Sequence, residues 1–305
     1  VAGPRLYVPP SSYTPLPYGL LSVVQARFDE VNPHWQTGIT WQPLCGIAAA
    51  TYDECLAVTG TGAPPPPSSK TATATWTARG ATPFTVYSQF DCSPAVFAEQ
   101  SQQLGSESLA RTEAWRLEYA FWTGVADTNT TVFPHLAADT QVVDSEGILL
   151  QTASAAVTGV VDVVEGLATV EKALADCLPG VGVVHIPRQL VPAFSAQGLL
   201  VKSGVTLRTW NGNLVAAGAG YPGTAPDGSD PAAGTSWIYG TGPVFIYRSD
   251  VQVMPIYSIV NRSTDDVAAI AERTYVLGFD CCHVAALVTT GGEPAGEPSS
   301  PGPAA

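Results

Sequence analysis

The sequence predicts an α+β fold, and three observations carry that expectation. Ser93 to Gly124 is the only long run in the first half of the chain without an internal proline, and its apolar residues recur at helical spacing. A shorter amphipathic run near 162–178 predicts a second helix. Nearly everything else alternates β-branched or aromatic residues with Gly, Pro, Asn and Asp, the pattern of strands and tight turns.

The long run is the element around which the chain is organised. Ser93 fits an N-cap, Pro94 fits the first helical position, and Gly124 stands where a left-handed C-cap belongs. Ala110, Ala114, Leu117 and Phe121 form its predicted apolar stripe, with Trp115 and Trp122 close by. Glu107 and Arg111 are spaced to pair across one turn. Gly105 weakens the middle by about 1 kcal/mol and permits a bend. A helix of about 30 residues is roughly 45 Å long, a strut between separate parts.

In chain order, residues 1–37 read as an arm. Prolines at positions 4, 9, 10, 15 and 17 forbid a helix, while Leu6, Tyr7, Tyr13 and Leu16 make the segment too apolar for a solvated tail. Leu20 to Phe28 reads as a short strand. Residues 38–90 read as a projecting hairpin and its entering strands: Lys70-Thr-Ala-Thr-Ala-Thr-Trp76 is extended, and the Gly/Pro/Ser run 60–69 is the tip. Beyond Gly124, Val142-Val143 and Ile148 to Leu150 read as strands. In the second helix Val163, Leu167, Val170, Leu174 and Cys177 share one face; Pro179-Gly180 stops it, and Val181 to Ile186 is a buried strand. Pro187 opens another helical run to about Leu200. Thr206–Trp210, Asn211-Gly212 and Asn213–Ala216 form a hairpin with a strong turn signal. A Gly/Pro/Asp loop (218–235), strands Trp237–Tyr247 and Val251–Ile256, and a strand Ala271–Val288 bent at Gly278 follow. Residues 291–305 are a flexible Gly/Pro/Glu/Ser tail.

Composition excludes several function classes. Apolar residues make up 46% of 305 and charged ones 13%, enough for a packed core and too little charge for a disordered polyampholyte. A net charge of −13 opposes nucleic-acid binding through phosphate neutralisation, although an acidic wall can stand beside DNA without binding it. No apolar run approaches about 18 residues, and the start lacks a signal peptide's basic and apolar regions, so the expectation is a soluble protein made in the cytoplasm. On that expectation the sequons at Asn129 and Asn261 are accidental. Six cysteines are too few for a disulfide scaffold and lack zinc-ligand spacing; most are expected as small buried groups, and Cys45 and Cys55 could bridge within the hairpin.

Chemistry-bearing motifs are weak. Gly218-Ala-Gly-Tyr-Pro-Gly223 matches the letters of a dinucleotide fingerprint, but Pro222 and the residues after it forbid the helix that would hold a pyrophosphate. His34, His135, His185 and His283 are scattered; His185, inside a strand, reads as a satisfied core residue. Cys281-Cys282-His283 is the nearest approach to a reactive centre, yet neighbours in a strand point to opposite faces. The expectation is no catalytic, cofactor-binding or metal site. Asp227 and Asp230 are too few for a calcium cage.

The order of parts then resembles the major capsid family of tailed bacteriophages. Residues 167–253 resemble it most: Ala-Asp-Cys-Leu-Pro-Gly at the end of a helix, Val-Val-His-Ile-Pro, Gly-Leu-Leu-Val-Lys-Ser-Gly, Thr-Trp-Asn-Gly-Asn-Leu-Val and Gly-Pro-Val-Phe-Ile-Tyr-Arg-Ser-Asp-Val. The resemblance implies a Hong Kong 97-type fold: N-terminal arm 1–37, extended loop 38–90, peripheral domain 91–160 with spine helix 93–124, axial domain 161–255, closing strands 256–290 and tail 291–305. It implies a non-enzymatic virion protein that self-assembles in the bacterial cytoplasm through hexamers and pentamers. The icosahedral shell would enclose double-stranded DNA without sequence-specific binding, with scaffolding, portal or decoration proteins as further partners and no membrane. Some members cross-link subunits through a loop lysine, for which Lys70 is the candidate; a lysine near a loop tip is ordinarily just solvated. Encapsulins share the fold and are the alternative shell; an α/β enzyme using Cys281 to His283 is the alternative of another class.

Overall fold

A computed structural model describes residues 13–27, 33–43, 77–92, 98–127, 130–177, 180–261 and 266–290. The Ser93-Pro94 cap, the hairpin tip with Lys70, Cys45 and Cys55, the first part of the arm and the tail 291–305 lie outside the described residues.

Helix α1 spans Ala98–Thr123. It stops at Gly124, whose φ of 74° only glycine adopts cheaply and whose N–H bonds Ala120 O at 2.8 Å. Two sheets receive it, and they explain why its buried face differs from the expected stripe. Its first half lies through Gly105 and Leu109 on a five-stranded sheet, and its second half packs Leu117, Phe121 and Trp122 against a seven-stranded one. Ala110 therefore faces solvent and Trp115 is 48% exposed. Glu107 takes a hydrogen bond from Gln103, and Arg111 lies over the Tyr13 ring.

The five-stranded sheet is built on the long strand β15 (Asp266–Phe279). One edge takes β4 (Pro83–Cys92); the other takes β14 (Gln252–Asn261) and then β13 (Val244–Arg248), which carries β1 (Gln25–Arg27) in parallel. Ala269, Ala271, Tyr275 and Leu277 alternate toward the α1 side, and small Ala side chains let the helix approach. Glu113 joins the layers: its carboxylate accepts from Arg273 at 3.0 Å and from the Tyr275 hydroxyl at 2.9 Å.

The seven-stranded sheet runs β7-β16-β12-β8-β11-β10-β9, that is Ala155–Val161, His283–Thr289, Thr235–Thr241, Val183–Pro187, Leu214–Gly218, Thr206–Thr209 and Leu200–Ser203. One face carries helices α2 (Val163–Cys177) and α3 (Val191–Ala196), the other the end of α1. Asp162 caps α2, accepting the Val164 and Glu165 N–H groups at 2.8 Å. Val163, Leu167, Val170 and Leu174 form its buried face as predicted, and Cys177 at its exposed end is disulfide-bonded to Cys282. A small third sheet orders β2 (Ile39–Trp41), β3 (Arg79–Ala81), β6 (Leu149–Gln151) and β5 (Val142–Val143).

Five sequence expectations are corrected. Leu20 to Phe28 is not one strand: Leu20–Ser22 is a 3-10 turn whose Leu20 is fully buried, so this part of the arm belongs to the subunit's own core. The helical run from Pro187 ends at Ala196, and Leu200 begins β9, paired with β10 across the Gly204-Val205 turn. Trp237 to Tyr247 breaks at Gly242-Pro243, where the chain changes sheets. The final strand bends at 280–282 rather than at Gly278, which stays in β15 beneath the Phe245 ring. Cys177, Cys281 and Cys282 are disulfide-bonded rather than free.

Candidate functional site

The glycine-rich loop 218–225 packs on α1. Glu118, only 4% exposed, accepts the Leu20 N–H at 2.9 Å and the Gly220 N–H at 3.0 Å, tying arm, helix and loop together. Burial pushes its carboxyl pKa up, against the pull of those N–H groups and of Arg188. Gly220 is glycine because a Cβ there would lie 2.1 Å from Trp115 O on the helix. Gly218 lies under the Tyr221 ring, and Gly223 has φ 79°. The loop's N–H thus goes to a carboxylate, which would repel a pyrophosphate, and the fingerprint reading fails on charge as well as on Pro222.

Aromatic groups seal the junction beneath. Trp122 donates to Thr224 Oγ1 at 2.9 Å and packs against Tyr221 and Tyr239 at 4.9 and 4.8 Å between ring centroids. His185 is fully buried, as the strand context predicts, between Tyr221 OH at 3.1 Å and Thr241 Oγ1 at 2.9 Å. The Thr241 hydroxyl donates to Gly242 O, so it accepts from His185 Nε2–H, and Tyr221 donates to Nδ1. Burial pushes this imidazole down to about 3. A sealed, neutral, fully satisfied histidine is a packing group, not a base.

Cys281 to His283 holds no nucleophile, since both cysteines are oxidised. His283 faces Thr152 O at 3.0 Å and Leu136 O at 2.8 Å, and burial lowers it to about 4. Burial likewise lowers His135, which stands beside Val132 O. His34 lies apart in the 3-10 turn Pro33–Thr37. Among the described residues no group of three His, Cys, Asp or Glu could hold a metal ion, and no helix is long and apolar enough to cross a membrane.

The surface carries large apolar groups instead. Tyr87 and Met254 are 65% and 47% exposed on the face of the five-stranded sheet turned from α1, and Val205 and Trp210, each 77% exposed, project from the turns at the two ends of β10. Asp227 and Asp230 lie on the exposed tip of the 218–235 loop, with Asp227 held below the usual carboxylate range by Ser229.

The fold decides what the chain is like. No family model matches the sequence, and neither does any curated protein. Solved structures do match. A capsid chain of an empty GTA particle aligns over 94% of this chain and 95% of its own, with 13% identity and a TM-score of 0.51. This is a Hong Kong 97-type capsid fold. The SrpI encapsulin of Synechococcus elongatus has it too, with 10% identity, 94% and 92% coverage and a TM-score of 0.52. A chain of Mycobacterium phage Adephagia aligns at 18% identity over 93% and 96%, with a TM-score of 0.48.

Proposed function

We propose that this chain is a structural virion subunit that assembles with copies of itself, as hexamers and pentamers, into an icosahedral head shell enclosing double-stranded DNA. The observation that carries this reading is the end-to-end likeness to a capsid chain, 94% of one and 95% of the other, across sequences 13% identical. In this reading α1 is the spine of a peripheral domain (91–160), residues 161–255 form the axial domain, 256–290 close the sheets, and the arm and the 38–90 loop reach neighbouring copies, with Lys70 a cross-linking candidate. Tyr87, Met254 and Trp210 supply apolar contacts of the kind that anchor protein interfaces. The exposed tip 227–230, rather than the buried 218–225, is the part of its loop free to approach a symmetry axis. Scaffolding and portal proteins would join assembly in the bacterial cytoplasm, and the subunit carries out no catalysis.

The likeness to an encapsulin favours a second reading, a cellular compartment with protein cargo. Size-exclusion chromatography and negative-stain microscopy of the expressed full chain test both: closed particles are expected, and a protein that stays monomeric under all assembly conditions overturns both. Nuclease-protected DNA in particles purified from their native source supports the capsid; particles holding protein and no DNA support the compartment.

A further inference from the structure

The five- and seven-stranded sheets are joined by two direct strand-to-strand crossings, and the crossings touch. One leaves β12 at Thr241 and enters β13 at Val244; the other leaves β15 at Phe279 and enters β16 at His283. Asp280 N–H bonds Pro243 O at 3.0 Å, and Gly242 N–H bonds Cys282 O at 3.3 Å. Gly242 admits no side chain, because a Cβ there would lie 1.7 Å from Asp280 O, and Cys281 takes a left-handed φ of 61°. Two short connections side by side between two sheets have the geometry of a hinge, where a few element-terminal residues absorb a relative rotation.

Cys282 stands in one of these crossings and is 5% exposed. Its partner Cys177 is the last residue of α2, exposed, with Cα atoms 5.8 Å apart. Helix α2 belongs to the seven-stranded sheet: Gly166 lies under Val288 of β16, and Gly240 of β12 lies under Val170. The bond therefore fixes the crossing to one of the two bodies that the crossing joins.

We propose that Cys177 and Cys282 are a modification site, an oxidation-closed lock on the hinge between the two sheets, whose co-reactant is a small-molecule disulfide of the oxidised-glutathione class. The exposed Cys177 thiolate attacks one sulfur of that disulfide, forming a mixed disulfide and releasing one thiol. The Cys282 thiolate then attacks the Cys177 sulfur, forming the protein disulfide and releasing the second thiol. The protein loses two protons and two electrons, and the small disulfide is reduced to two thiols. This proposal rests on the fold alone and stands or fails apart from the shell reading.

The test uses the full chain in the state in which it purifies, reduced with dithiothreitol and then reoxidised with glutathione disulfide. Peptide mapping without reductant is expected to recover a Cys177–Cys282 linked peptide. Hydrogen exchange of the Gly242 and Asp280 amides is expected to be about tenfold or more faster in the reduced protein than in the oxidised one, with the α1 amides unchanged. Cys177→Ser, a change at an exposed helix end that leaves the bond of Cys281 in place, is expected to show the fast exchange even when oxidised. Absence of the linked peptide, equal exchange in oxidised and reduced protein, or slow exchange in oxidised Cys177→Ser overturns the proposal; the last outcome would assign the effect to Cys281.

Discussion

The same substitution at two glycines, one on each of the two packing interfaces of α1, is expected to act in opposite directions. Gly105 is buried where α1 crosses the five-stranded sheet, and a Cβ built on it would meet Ala271 Cβ at 3.8 Å, Phe90 Cβ at 3.9 Å and Ala269 O at 4.0 Å, all ordinary contacts. Gly105→Ala gains about 1 kcal/mol of helix propensity and at most about 0.8 kcal/mol for a buried methyl, a total of about 1–2 kcal/mol. Gly220→Ala has no such room. Its Cβ would lie 2.1 Å from Trp115 O and 2.9 Å from Tyr119 N, both backbone atoms of the helix, so the loop must back away. Overpacking costs about 1–3 kcal/mol and the stranded Glu118 carboxylate about as much again, together about 2–6 kcal/mol. Urea melts of both variants and the parent, followed by tryptophan fluorescence at one subunit concentration, measure the two signs. A destabilised Gly105→Ala, or a Gly220→Ala within about 0.5 kcal/mol of the parent, would refute the argument from distance.

Two other perturbations address the buried polar groups. Glu118→Gln keeps the shape but turns an amide NH2 toward one of two backbone N–H donors, so a loss of about 1–3 kcal/mol is expected in the same melts; an unchanged midpoint would remove the clamp from the account. His185 and His283 are held neutral, at about 3 and about 4 against 6.5 unfolded, so their contribution is complete above pH 6.5 and is lost as pH falls toward 4. Two such groups lower stability by roughly 2.7 kcal/mol per pH unit across that window, partly offset by Glu118, whose raised pKa favours the folded state at the acid end. Melts at pH 7, 5.5 and 4.5 read this slope, and a flat profile in that range would contradict it.

Features set by neighbours in sequence were legible. Gly124 closes α1 because only the local chain decides who takes a left-handed conformation at a helix end. Asn211-Gly212 marks the hairpin from β10 to β11, but Arg208 pairs with Leu214 and the Thr209 N–H bonds Asn213 O, so the loop is the three residues Trp210 to Gly212, with Gly212 at φ 89°, rather than the two-residue turn the letters suggest. The buried face of α2 could be read at helical spacing because one sheet receives the whole helix. For α1 the same reading puts Ala110 on the wrong side, because two sheets receive it and the buried stripe shifts where one partner gives way to the other. Periodicity reports a helix with one neighbour well and a helix with two neighbours poorly.

The parts that position the junction were illegible for a related reason: each is defined by an atom far away in sequence. Glu118 looks like one more polar residue of an exposed helix until Leu20 and Gly220, 98 and 102 residues distant, bring it their N–H groups. Cys177 and Cys282, 105 residues apart, have no spacing that would pair them. The glycines make the point most directly. Gly218, Gly220 and Gly223 spell a nucleotide fingerprint, and a glycine does mark close approach, but its letter does not say of what. In a dinucleotide site the approaching group is a phosphate, and the surroundings must supply N–H donors and a helix N-terminus. Here the approaching groups are the backbone of α1, a tyrosine ring and Ser236, and the N–H donor is already taken by a carboxylate. The motif's physical content, room for a close neighbour, is present in full; at Gly220 the neighbour is the backbone of α1.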